Sequence, residues 1–164
     1  MRIIKLAFIS FIVFALLITG FSLFFPSNIR ISKAIDINAS NDSVLNQLSD
    51  AANWKKWYPG ADSMETVLVE GKVKGIETHN RKGLVITEVN DSTVLAVTTG
   101  NNAKTGKSGW NFYPGNNNGV TIQWYMDFHL KWYPWEKFSS LMLENRYGPV
   151  MEQGLGNLKN LLEK

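Results

Sequence analysis

Tyr147-Gly-Pro-Val-Met-Glu-Gln-Gly-Leu-Gly-Asn-Leu-Lys-Asn-Leu-Leu-Glu-Lys164 closes the chain, and its reading decides the fold. At a helical period Tyr147, Met151, Gly154, Leu155, Leu158, Leu161 and Leu162 share one face. Glu152, Gln153, Lys159, Asn160 and Glu163 share the other. Pro149 suits a first turn, where no amide donor is missed, so the regular helix is expected to begin there. Gly154 sits on the apolar face, where glycine costs about 1 kcal/mol relative to alanine. Something must compensate. Either a strand packs very close at Gly154, or open space is kept there above a cavity; a helix that plugs a core and a helix that roofs a pocket both stand open.

The apolar face needs a sheet, and the preceding chain supplies one. Met64 to Glu70, Gly75 to Asn80, Leu84 to Asn90, Thr93 to Thr99, Ser108 to Tyr113 and Val120 to Leu130 have strand composition. Gly71, Arg81-Lys82-Gly83, Asp91-Ser92, Gly100 to Gly106 and Pro114 to Gly119 separate them as turns. Such short separators permit only antiparallel hairpins, because a parallel pair needs a long crossover. Ile29 to Ile37 alternates as a further strand, giving seven. Ser40 can cap a short helix with Asp42 in its first turn and Val44, Leu45 and Leu48 facing in. Asp50 can cap a second, placing Trp54 and Trp57 on one face before Tyr58-Pro59-Gly60 stops it. Glu136 to Asn145 reads as a helical approach to the last helix.

Leu6 to Phe25 is apolar but for Ser10, Thr19, Gly20 and Ser22. As a helix it spans about 30 Å, the thickness of a hydrocarbon core. The run exceeds a usual signal-peptide core, no small-x-small site follows, and no cysteine offers a lipid attachment point. It is therefore expected to be an uncleaved anchor. Arg2 and Lys5 hold the N-terminus in the cytoplasm and put the domain outside, against a weaker contrary pull from Arg30 and Lys33. The division is 1–28 as anchor and flanks, and 29–164 as one domain.

Charge excludes one large class. The chain carries 17 Lys and Arg; Arg2, Lys5 and Arg30 precede Ile31 and leave 14, equal to the 14 Asp and Glu. A nucleic-acid binder normally shows a basic face, and none is supplied here.

The order of strand, two small helices, six strands and long helix resembles the helix-grip fold of the START / Bet v 1-like superfamily, specifically its bacterial polyketide-cyclase-like (SRPBCC) members. Three stretches carry the likeness. They are Ile35-Asp-Ile-Asn-Ala-Ser40 with Val44, Leu48, Asp50, Trp54 and Trp57, then Gly119-Val-Thr-Ile-Gln-Trp-Tyr-Met126, then Gly148 to Lys159. The resemblance implies an α+β domain in which a curved seven-stranded antiparallel sheet wraps the C-terminal helix and leaves an apolar cavity between. With the anchor read above, a bacterial member of this kind is expected in the inner membrane with its domain extracytoplasmic. The resemblance implies no single chemistry.

Chemical motifs are scarce. Asn101 to Ser108 ends like a phosphate-binding loop but lacks its first glycine and runs into a strand, so it is expected to be a hairpin tip. His79 and His129 are the only histidines, and no metal-ligand spacing or nucleophile elbow accompanies them. No cofactor or metal is expected. On the last strand Val120, Ile122, Trp124, Met126, Phe128 and Leu130 share the face that should meet the helix. Asp127 and His129 then point outward, which removes the ionisable groups that acid–base catalysis needs. A bulge would reverse that phase. Trp132-Tyr-Pro-Trp135 follows, with three roles open: rimming the cavity mouth, touching the membrane, or closing the barrel end.

The expected cavity has Tyr147, Met151, Gly154, Leu155 and Leu158 over Trp110, Phe112, Trp124, Met126 and Phe128. Trp54 and Trp57 close one end. Three functions remain in play: a tethered binding domain for a lipid or other apolar small molecule, an envelope interaction domain with a filled core, or a cyclase- or hydrolase-type enzyme.

Overall fold

The computed structural model describes residues 2–100, 106–115 and 119–164. Helix α1 (Arg2–Ser22) leads into strand β1 (Asn28–Ile37). Helix α2 (Asn41–Ser49) and two 3₁₀ turns (Ala51–Lys56 and Ala61–Ser63) follow. Then come β2 (Glu65–Val69), β3 (Lys72–Glu77), β4 (Gly83–Asn90), β5 (Thr93–Thr99), β6 (Lys107–Pro114) and β7 (Val120–His129). Helix α3 (Pro134–Ser139), a 3₁₀ turn (Ser140–Met142) and helix α4 (Leu143–Leu162) complete the chain. The seven strands form one antiparallel sheet in the order β1-β7-β6-β5-β4-β3-β2. Only the β1–β7 pairing is non-local; the rest are hairpins between chain neighbours, as the short separators required. This is a helix-grip architecture.

Local chemistry explains the small elements. The Ser40 hydroxyl accepts from the Ser43 amide and caps α2. The Asp50 carboxylate accepts from the Ala52 amide and caps the first 3₁₀ turn. Glu70 and Gly71 both have positive φ, the condition of a two-residue hairpin turn, so β3 begins at Lys72 rather than at Gly75. The register slips between Val67 and Leu68 on β2 and between Ile86 and Glu88 on β4. Such bulges bend a sheet, and both lie in the half of the sheet away from β1.

Helix α4 begins at Leu143, six residues before the sequence suggested, with Pro149 inside it. Pro149 frees the carbonyl of Asn145, but both residues are on the exposed side, where water can bond to it. The early turns are pinned from the sheet: Lys33 on β1 reaches Glu144 and Glu152, each at 2.8 Å. These two hydrogen-bonded carboxylates push the Lys33 ammonium above its ordinary pKa.

Helix α1 is long and apolar enough to cross a membrane, and its apolar stretch is not buried against the domain. A signal sequence has the same composition and position.

Candidate functional site

The inner face of the sheet divides into two ends. At one end Trp54, Trp57, Trp110 and Trp124 are fully buried with ring centroids 5.4–6.3 Å apart. Trp54 donates its indole N–H to the Leu48 carbonyl at 3.0 Å, and Trp124 donates to Ser108 Oγ at 2.8 Å. The middle of α4 lies on this cluster. A β-carbon at Gly154 would stand 2.8 Å from Trp124 Cζ3 and 3.0 Å from Pro59 Cδ. Of the two readings of Gly154, close packing is the one present; no open space lies above it.

The other end holds the cavity, about 880 Å³ in volume. Its floor is Ile76, Leu84, Met126 and Phe128 from the sheet, and its roof is Leu143 and Tyr147 of α4 with Met142 just before it. The Phe128 and Tyr147 rings meet at 4.9 Å across one side. Tyr58 is the partition between the two ends. It stacks on Trp54 at 6.0 Å, leans on Trp124 at 5.4 Å, and also lines the cavity. Burial pushes its phenol up to about 12, so it stays a neutral hydroxyl at any physiological pH.

Of the twelve residues expected to line a pocket, the structure places Met126, Phe128 and Tyr147 on the cavity wall. The other nine are in the packed core: Trp54, Trp57, Trp110, Phe112, Trp124, Met151, Gly154, Leu155 and Leu158. The reason is the cluster itself. Four indoles and the Tyr58 ring fill the middle of the grip, so space is left only where α4 begins. The reading by faces found the correct side of the sheet and not the correct end. Tyr58, Met64, Ile76 and Leu84 were missed as wall residues, although the alternation of Leu84 and Ile86 on β4 marked which face they use.

The polar side chains of β7 turn to the outer face, although Asp127 also borders the cavity. Arg30 grips Asp127 through two hydrogen bonds of 2.7 and 2.8 Å, and its guanidinium sits 4.1 Å above the Tyr125 ring, which covers Gly109. His129 is exposed beside Asn28 Oδ1 at 2.7 Å. His79 is exposed near Glu65. Among the described residues no group of three His, Cys, Asp or Glu side chains could hold a metal. The loop resembling a phosphate site falls largely on 101–105, outside the described residues, as do 116–118 of the next turn. Asp127→Ala and His129→Ala, singly and together, are expected to leave cavity occupancy unchanged. They should lower stability by no more than about 1 kcal/mol, the worth of an exposed ion pair. A loss of occupancy with an unaltered melting curve would contradict this placement.

A curved antiparallel sheet gripping a C-terminal helix, with an apolar hollow beneath the helix start, defines a helix-grip protein. The chain belongs to the family described as "Polyketide cyclase / dehydrase and lipid transport", which it matches over residues 28–163. Solved structures share the fold at low identity. A START superfamily protein from Mycobacterium smegmatis is 14% identical, with 82% of this chain and 97% of that one covered and a TM-score of 0.62. A protein of unknown function from Staphylococcus aureus is 13% identical, with 83% and 94% covered and a TM-score of 0.63. The Aha1 protein from Colwellia psychrerythraea is 19% identical, with 82% and 96% covered and a TM-score of 0.55. No curated protein sequence matches the chain.

Proposed function

We propose that this protein is a membrane-tethered binding domain for a lipid or other apolar small molecule, held between the sheet and the start of α4. The observation that carries the reading is the cavity. Its 880 Å³ lies within the range of small-molecule sites, roughly 300–1,000 Å³. Aliphatic, Met and aromatic side chains, with the Tyr58 ring among them, form most of its wall. A largely apolar hollow whose wall also carries Lys107, Asp127, Asn145 and Arg146 suits an amphiphile with an apolar tail and a polar head. The family description, which includes lipid transport, supports the same reading. Helix α1, with five residues between it and β1, supplies the tether.

The test uses the full chain released from micelles in native mass spectrometry. Wild type should retain one lipid-sized ligand per chain. Met126→Trp, which fills the hollow from its floor, should lose the ligand while melting within a few degrees of wild type. A wild-type chain without ligand, or a Met126→Trp chain that keeps it, would defeat the proposal.

A further inference from the structure

An apolar patch lies on the surface next to the cavity, and most of it is exposed among the described residues. Trp132, Trp135, Leu141 and Met142 are 63, 67, 62 and 70% exposed, and Phe138 is 38% exposed. Tyr133 stacks on Trp135 and meets the tilted Trp132 ring, each with centroids 4.8 Å apart. Soluble surfaces scatter single apolar residues; a contiguous run of this size marks an interaction site.

Two features place this patch. The first is its attachment to the end of α1. The Lys137 ammonium, buried on the inner side of α3, donates to the Phe25 carbonyl at 2.9 Å and to Ser27 Oγ at 2.7 Å. Phe25 and Phe138 meet edge-on at 5.3 Å. Helix α3 is thus fixed to the turn that leaves α1, which itself exposes Leu23 and Phe24. If α1 spans a bilayer, that turn lies at the interface, and α3 has no length of linker by which to leave it. The second feature is Met142, which belongs both to the exposed patch and to the cavity wall, as does its neighbour Ser139 to the wall. The mouth therefore opens within the patch.

We infer that α3 and the following 3₁₀ turn lie in the bilayer interface and open the cavity toward the membrane, so that the ligand is a lipid acyl chain drawn from the same membrane. This rests on the tethered-binding reading and extends it to the ligand's source. Trp and Tyr favour the interface, where the ring meets hydrocarbon and the N–H or O–H meets water. Amphipathic segments of this kind sit about 5–10 Å into the headgroup and acyl boundary. An acyl chain entering past Met142 would stay out of water throughout.

The chain has no cysteine, so single nitroxide labels can be placed cleanly in the full-length protein, reconstituted in vesicles of phosphatidylcholine and phosphatidylglycerol. Labels at Trp135→Cys, Leu141→Cys and Met142→Cys are compared with Val13→Cys in α1 and Asp91→Cys in the β4–β5 turn. The three patch labels should be relaxed by oxygen and protected from a nickel chelate, between the extremes set by Val13 and Asp91. Patch labels as open to nickel as Asp91, with Val13 protected, would leave the tether standing and overturn the docking. Protection at 135 and 141 but not at 142 would overturn the membrane-facing mouth. Nickel access at Val13 itself would remove the tether, and the inference with it.

Discussion

Gly154→Leu is expected to lower the melting temperature by about 10 °C, because overpacking a filled core typically costs 1–3 kcal/mol and here meets a rigid neighbour. The added side chain would enter space held by Trp124, whose ring cannot swing away. Its indole N–H is bonded to the buried Ser108 hydroxyl, and Trp57, Trp110 and Tyr58 surround it within 6.1 Å. Gly154→Ala refines the test. Alanine regains about 1 kcal/mol of helix propensity, so a net loss isolates the contact with Trp124 and Pro59. Thermal unfolding of wild type and both variants gives the answer. An unchanged or raised melting temperature for Gly154→Leu would mean that α4 and β7 do not pack closely at this position.

The contrast between Gly154 and the cavity shows what the sequence could tell and what it could not. Periodicity assigned faces correctly: the inward set of β7 and the apolar stripe of α4 do meet, and Asp127 and His129 do face out. Caps at Ser40 and Asp50 were legible because one side chain satisfies a nearby amide, a local event. Where the empty space lies is not local. It depends on how four indoles from α2's neighbourhood, β6 and β7 converge, and on the fact that Tyr58, which reads as a helix stop, turns in against them. The start of α4 was misjudged for a related reason. Pro149 marks a first turn only when nothing else holds the preceding residues, and Lys33, over a hundred positions upstream, holds Glu144.

That convergence of indoles is also where stability should be most concentrated. Trp124→Ala is expected to cost about 4–5 kcal/mol, the upper part of the range for removing a buried aromatic. It deletes a fully buried side chain at the centre of the grip and leaves Ser108 Oγ without the Trp124 donor. Conservative variants separate the two contributions. Trp124→Phe loses the indole bond as well as volume. Trp110→Phe loses volume alone, because Trp110 Nε1 is buried without a hydrogen-bond partner among the described residues. Leaving a buried donor unpaired carries a penalty of about 1–3 kcal/mol, which Trp110→Phe removes, so it should be the milder change by about 2 kcal/mol. Denaturant unfolding of the two single variants measures the difference directly. Equal losses would show that packing decides both sites and that the Ser108 bond adds nothing. Neither residue touches the cavity, so the folded fraction of either variant should still retain ligand, whereas Met126→Trp should lose it with the fold intact. If Trp110→Phe emptied the cavity while its melting curve held, the division between a packed end and an open end would fail.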